Sequence, residues 1–217
     1  ERERFASVTH EYLITQTSTS SFLGVIGNKS LDINLHKPSK QLILSTKRSD
    51  VSNINEWNNY TNWISEISPF TVSYAENSLN SSIRNFFTIP NKSNTHFFNK
   101  NIIQKVRLLF NGEERFSPQN YEYFSSLQPY EYNIRSPKEG IYVFSFSIEK
   151  EKFQPSGACN MARINRVQLE VECSLIPSRT SPNETLQYAY GYDINVYSIN
   201  YNVLRIMSGM GGLVFTN

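Results

Sequence analysis

Polar and apolar residues alternate along much of this chain, with the two-residue period of strands whose successive side chains point to opposite faces. The cleanest instance is the stretch 166–175. Val167, Leu169, Val171, Cys173 and Leu175 lie on one side, and Arg166, Gln168, Glu170, Glu172 and Ser174 on the other. One face predicts core and the other predicts water. Residues 141–150 repeat the pattern, with Tyr142, Phe144, Phe146 and Ile148 set against Val143, Ser145, Ser147 and Glu149. A longer run comes near the end. Tyr192, Ile194 and Val196 place apolar groups on one face of an extended segment, whereas Tyr197, Ile199, Tyr201 and Val203 place them on the other. The phase slips at Val196 and Tyr197, which predicts a β-bulge or a strand covered on both sides. β-Branched and aromatic residues dominate and no 3.6-residue stripe emerges, so this run is read as a central strand rather than a helix. Ser208, Gly209, Gly211 and Gly212 predict a turn, followed by a short last run over 213–215.

The earlier chain is less regular. Residues 1–10 read as a connecting segment, with Phe5 and Val8 as anchors. Residues 11–16 form a short β run and 17–21 a Ser/Thr turn cluster. Residues 22–26 and 31–35 then pair as a hairpin about Gly27-Asn28. Pro38 blocks continued ladder pairing, and 41–46 supply another strand. From about 48 to 100 alternation gives way to Asn-rich polar sequence, read as an outward-facing insertion between two strands. Within it Ser52 caps a short helix on which Ile54, Trp57, Thr61 and Ile64 recur. Strand character resumes over 102–110, turns at Asn111-Gly112 and returns to Phe116. Ser117-Pro118 starts one or two helical turns over 119–125, with Tyr121 and Phe124 inward. Residues 154–157 are a turn, and 178–185 a polar loop. About seven or eight antiparallel strands without helical crossovers predict an all-β sandwich. The favoured form is an eight-stranded antiparallel jelly roll with a long loop insertion and short helices, although propensity alone does not separate it from an immunoglobulin-like sandwich.

Composition narrows the function classes. At 217 residues, 39% hydrophobic and 13% aromatic, the chain can bury a real core, and a single domain is the preferred reading. Lys and Arg are scattered among Asp and Glu for a net charge of +2, so no basic face of the kind nucleic acid selects is present. No apolar run is long enough to span a bilayer. The start, ERERF, lacks both a signal core and an initiator Met, so the chain reads as a piece of something longer or a processed product. Cys159, in a Pro/Gly loop, and Cys173, on an apolar strand face, imply no disulfide framework and favour a reducing compartment.

Candidate chemistry is sparse. His10, His36 and His96 fall in separate segments with no visible orienting group, so no catalytic residue is assigned. Glu113, Glu114, Glu149 and Glu151 fall in turns and at strand ends, as solvated surface. No metal-ligand spacing occurs and no cofactor is implied. Gly209-Met210-Gly211-Gly212 lacks the helix and the Lys-Ser/Thr pair of a phosphate loop and reads as a turn. Trp57, Tyr60 and Trp63 could offer sugars an aromatic platform, which keeps a carbohydrate-binding β-sandwich module as an alternative. Sequons start at Asn28, Asn59, Asn80, Asn91 and Asn183, the candidate glycosylation sites, in a number close to that expected by chance from the Asn, Ser and Thr content.

Four stretches taken together carry a resemblance: ERERF with HEYLITQ near the start, the element His36-Lys37-Pro38 followed by Lys40 and Leu42, the segment QPSGACNMARI over 154–164, and the ending NYNVLRIMSGMGGL over 200–213. They closely resemble the C-terminal half of the major capsid proteins of nucleocytoplasmic large DNA viruses, the group including iridoviruses, phycodnaviruses and relatives of asfarviruses. The last two stretches are the specific ones, and the insertion matches least. The resemblance implies a double jelly-roll protein of which residues 11–217 form the second barrel and 1–10 the inter-barrel connection. It further implies a homotrimer of the full-length protein forming a pseudo-hexagonal capsomer, packed against neighbouring capsomers and minor capsid proteins. An inner viral membrane would lie nearby without being spanned. Neither enzymatic activity nor a cofactor is implied. Expected localisation is the virion, after assembly in the host cytoplasm. A minor capsid or penton protein with one jelly roll is the alternative within viruses.

Overall fold

Strands in which every second residue is apolar can bury one face only against another sheet, and the chain satisfies this by dividing its strands between two antiparallel layers. The computed structural model describes residues 3, 7–53, 55–63, 99–132, 135–149, 152, 154–176 and 190–215, and the backbone of 178–180 and 186–188. One layer contains β1 (His10–Val25), β3 (Pro38–Arg48), β6 (Ile141–Ser145) and β11 (Tyr192–Met207) in the spatial order β1-β11-β3-β6. The short β7 (Cys159–Asn160) extends it beside β3, and β12 (Met210–Leu213) beside β11. The other layer contains β2 (Asn28–Ile33), β4 (Ile103–Phe110), β5 (Glu113–Asn120) and β8 (Val167–Cys173) in the order β2-β8-β4-β5. Strands adjacent in space are mostly distant in sequence and the chain crosses repeatedly between layers, which is the jelly-roll arrangement.

The core lies between the layers. Leu31, Ile33, Val106, Leu108, Leu169 and Val171 face Leu42, Leu44, Tyr142, Tyr192, Ile194 and Val196. A π-helical turn, Tyr123–Leu127, runs into α1 (Gln128–Tyr132) and closes one end. Its Phe124 is buried in an aromatic cluster with Phe116 and Phe144, with ring centroids 5.6 and 6.3 Å away. β8 matches its sequence pattern residue for residue from Val167 to Cys173, buried on the apolar side throughout.

Several expectations give way to tertiary pairing. The Ser/Thr cluster 17–21 is not a turn but the middle of β1, which pairs with β11 without a break from His10 to Phe22. Hydroxyl side chains suffice there because β1 ends its sheet and half its surface meets water. Residues 22–26 and 31–35 do not form a hairpin. β1 pairs with β11 and β2 with β8, so Gly27, at φ 63°, turns the chain from one layer to the other. Along β11 no slip occurs at Val196. Burial continues on the same face through Ser198, Asn200 and Asn202, and the register shift lies instead between Ile199 and Asn200 against β3. That face stays buried although its residues turn polar.

The helix expected after Ser52 does not form among the described residues. They make turns, with Asn55 at φ 56°, while Ile54 and Ile64 lie outside the described residues. β5 runs through Ser117 and Pro118, and helical structure starts only after Asn120. Proline is tolerated because β5 is an edge strand. β6 ends at Ser145, and Ile148 projects into solvent. After Cys173 the phase of β8 reverses, leaving Ser174 buried and Leu175 exposed. Cys159, expected in a loop, pairs with Ser39 of β3. The loop 178–185 contains β9 (Ser178–Thr180), paired with β10 (Leu186–Tyr188). Gly211 and Gly212 belong to β12 rather than to the turn, which is made by Ser208 and Gly209. Val8 is exposed and anchors nothing, and Phe5 lies outside the described residues.

Candidate functional site

The residues singled out for chemistry do not converge. His10 opens β1, His36 lies between β2 and β3, and His96 is outside the described residues. Among the described residues no group of His, Cys, Asp and Glu is arranged to hold a metal ion. Cys173 is buried in the core, where desolvation pushes its thiol up to about 12, and half-buried Cys159 is pushed up for the same reason. Glu114 receives Arg107 at 2.5 Å and Glu149 receives Lys152 at 2.8 Å. Glu113 is exposed, and Glu151 is outside the described residues. The glycines after Ser208 form a two-stranded β ribbon rather than a cradle of backbone N–H groups. Of the sequons, Asn28 is exposed on β2. The Asn59 amide is turned inward, donating to the Trp63 carbonyl at 2.6 Å. Asn80, Asn91 and Asn183 are outside the described residues.

The three aromatics form no open platform. Lys47 and Lys138 approach the Tyr60 ring at 4.5 and 6.0 Å, and Lys100 approaches Trp63 at 5.0 Å. Trp57 is exposed and its indole N–H donates to Asn55. These contacts fasten the described base of the insertion to the sandwich. Its hub is Arg48, at the end of β3, which in the sequence is merely the first residue of a polar stretch. The Arg48 guanidinium is buried, donates twice to Asp50 at 2.8 and 2.5 Å and once to the Asn62 carbonyl at 3.0 Å, and lies 3.8 Å over the Tyr190 ring. Tyr190 and Tyr192 both donate to Asn62 Oδ1, at 2.8 and 3.0 Å. Desolvation opposes the Arg48 charge more than any other single influence. The carboxylate of Asp50 and the surrounding tyrosines together outweigh it and raise its pKa further.

At the opposite end of β11 the buried face is polar and satisfied by side chains. Ser198 meets Ser39 at 2.7 Å and donates to Asn200 at 2.6 Å, and Asn200 donates to Ser18 at 3.0 Å. Beyond Asn200, β3 leaves β11 and β12 takes its place. Asn202 bridges the change. Its Nδ2 donates to Gln16 and to the Phe215 carbonyl at 2.9 and 2.8 Å, and its Oδ1 accepts from the Phe215 N–H at 3.0 Å. The result is a three-stranded ribbon of β1, β11 and β12 reaching past the sandwich. Its apolar side chains are left in water: Tyr12, Met207, Met210, Leu213, Val214 and Phe215 are all exposed, Met210 by 74%. The outer face of the β2-β8-β4-β5 layer is different. Arg107 holds Glu170 and Glu114, Arg166 holds Asp32 at 3.0 Å, and Lys105 lies 3.8 Å from Glu172. One surface is charged and the other apolar.

Comparison with known proteins identifies the family of the chain. Residues 1–212 match the family described as large eukaryotic DNA virus major capsid protein. The chain is 31% identical over 238 aligned positions to the major capsid protein of Paramecium bursaria Chlorella virus 1, covering 100% of this chain and 51% of that protein. It is 42% identical over 122 positions to the major capsid protein of Phaeocystis pouchetii virus, covering 56% of this chain and 22% of that one. Among solved structures, a chain of the PBCV-1 virus capsid superposes with a TM-score of 0.70 at 27% identity, over 100% of this chain and 54% of its own length. The Faustovirus major capsid protein, at TM-score 0.58 and 14% identity over 90% of this chain and 33% of its own, shares the fold. This chain thus spans about half the length of the chlorella virus protein, and less of the others.

Proposed function

The chain belongs to the large eukaryotic DNA virus major capsid protein family, and on that premise we propose that it is the C-terminal jelly roll of a structural subunit that builds an icosahedral shell. The observation that carries the reading is the likeness to a PBCV-1 capsid chain, which takes in 100% of this chain and only 54% of that one. The remainder has room for a second barrel. In this reading residues 1–10 connect the barrels, and three copies of the full-length protein form a pseudo-hexagonal capsomer. Capsomers pack against one another and against minor capsid proteins, over an inner membrane that the protein does not span. The protein acts in the virion after assembly in the host cytoplasm, makes no direct contact with nucleic acid, and performs no catalysis.

The physical features fit such a role. A tile must be rigid, and two sheets packed through a continuous apolar core are rigid. It must also carry variable loops on a fixed frame, and the Arg48 hub fixes the root of the insertion to β3 and β11. The apolar ribbon needs cover, which the first barrel supplies. Negative-stain electron microscopy of the full-length product tests the reading. Particles with three-fold symmetry and a hexagonal outline are expected; a dispersed monomer under all assembly conditions would overturn it.

A further inference from the structure

The stretches that carry the sequence resemblance lie far apart along the chain, yet each sends a residue to the same end of the sandwich. Gln16 closes HEYLITQ in β1, Lys37 lies in His36-Lys37-Pro38 at the entry to β3, Asn160 falls in QPSGACNMARI, and Asn202 belongs to the NYN of β11. Pro38 pairs with Asn160, which holds the backbone beside Lys37 against β7. The half-buried Lys37 donates from its ammonium to Gln16 Oε1 at 3.0 Å. Asn202 Nδ2 donates to the same oxygen at 2.9 Å, so both lone pairs of Gln16 Oε1 are taken. Asn202 is fully buried and turns its remaining groups to the chain's end. Its Nδ2 also donates to the Phe215 carbonyl at 2.8 Å, and its Oδ1 accepts from the Phe215 N–H at 3.0 Å and the Val203 N–H at 2.8 Å.

These contacts have a direction. An ammonium only donates, whereas a primary amide can present either its oxygen or its NH2. Lys37 therefore settles which end of the Gln16 amide faces it, and a Gln16 oxygen in that place requires Asn202 to turn its NH2 toward it. The Asn202 oxygen is then left facing the Phe215 N–H. Reversing the Asn202 amide would set oxygen against the Phe215 carbonyl and NH2 against the Phe215 N–H, leaving buried groups unpaired. β12 has few other holds. It pairs only with β11, over four exposed residues of which two are glycine, and past it the Val214 N–H donates to the Val203 carbonyl at 2.9 Å. We propose that Lys37 and Gln16 are positioning residues for this C-terminal strap: they orient Asn202 so that it clasps Phe215, and so set where Leu213, Val214 and Phe215 lie on the ribbon. The inference concerns contacts within one chain, goes beyond the role in a shell, and holds whatever covers the ribbon.

Hydrogen exchange at the Val214 and Phe215 amides, followed by NMR on the whole chain, tests the assignment. Lys37→Met keeps the aliphatic stem and removes the donor, and is expected to speed exchange at both amides by about fivefold or more while β8 exchanges at the parent rate. Lys37→Arg still donates, so its rates should stay within about twofold of the parent. Gln16→Glu keeps an accepting oxygen and should hold the strap. Gln16→Met should release it, and adding Lys37→Met to Gln16→Met should change nothing further, because the two act through one path. The proposal is overturned if Lys37→Met leaves Phe215 exchange at the parent rate, if it speeds β8 as much as Phe215, or if the effects of Lys37→Met and Gln16→Met multiply independently.

Discussion

Replacing Arg48 by alanine removes three donated hydrogen bonds and a ring contact at once, from a side chain 6% exposed. Asp50 then keeps a carboxylate with no cation beside it, and the Asn62 carbonyl loses its donor. Breaking a buried ion pair from one side costs about 3–5 kcal/mol, because the remaining charge stays desolvated. Asp50 retains 21% side-chain exposure and can recover some hydration, which points to the lower end, about 3 kcal/mol. For a domain of this size each kcal/mol is worth about 2–4 °C, so Arg48→Ala is expected to melt about 6–12 °C below the parent by calorimetry. Arg48→Lys should recover less than half of the loss, since an ammonium cannot make the two-pronged contact with Asp50. Arg48→Met combined with Asp50→Asn should lose less than Arg48→Met alone, because the stranded charge is gone. If Arg48→Ala melts within about 2 °C of the parent, the hub does not anchor the insertion as described.

Three further outcomes follow from the same geometry. Gly140 has φ +78° and a Cβ there would lie 1.9 Å from the Tyr60 carbonyl oxygen, whereas Gly112 has φ +88° with nothing within 4 Å. Gly140→Ala is therefore expected to lose at least about 2 kcal/mol more than Gly112→Ala in urea unfolding, and equal losses would contradict the contact. Asn202→Ala removes the clasp on Phe215 and should destabilise by about 2–3 kcal/mol, with hydrogen exchange accelerated in β12 and unchanged in β8. Burial pushes Tyr142, Tyr190 and Tyr192 up, and Cys173 up to about 12. Between the unfolded values near 9 and 10 and these raised ones, the unfolded chain binds fewer protons than the folded one. Stability is then intact below about pH 9 and falls by about 1.4 kcal/mol per pH unit for each such group as pH rises. Tyrosinate absorbance should show a lagging fraction that appears only as circular dichroism is lost. A single titration near pH 10 with the fold intact would refute this.

The sequence disclosed the strands that carry a one-sided apolar pattern and concealed those that do not. β8 was legible residue by residue because one face is core and the other meets water. β1 was divided into a strand, a turn and a strand because Thr17–Ser21 contain no apolar residue, yet hydrogen bonding to β11 holds that stretch extended. The apparent slip in β11 had the same origin. Asn200 and Asn202 are buried by partners more than 180 residues away, a pairing that local hydrophobicity cannot register. Ser117-Pro118 satisfied the local signature of a helix start, and an edge position in a sheet overrode it. The residues singled out for chemistry lie apart among the described residues, and the features that organise the surface were not visible in the sequence. Arg48 looks like the start of a polar loop, and the exposed ribbon looks like one more core strand. Exposure is a property of how layers end, and that depends on where β3 parts from β11.

We propose that this sandwich, with its ribbon covered by a companion barrel, is the repeating wall of a viral shell. Cryo-electron microscopy of the intact particle at side-chain resolution tests it most directly. Each capsomer is expected to contain this β1-β11-β3-β6 and β2-β8-β4-β5 sandwich three times, with Met207, Met210 and Phe215 buried against a second barrel of the same polypeptide. A shell wall built from another chain, or a capsomer in which those three side chains face solvent, would contradict it.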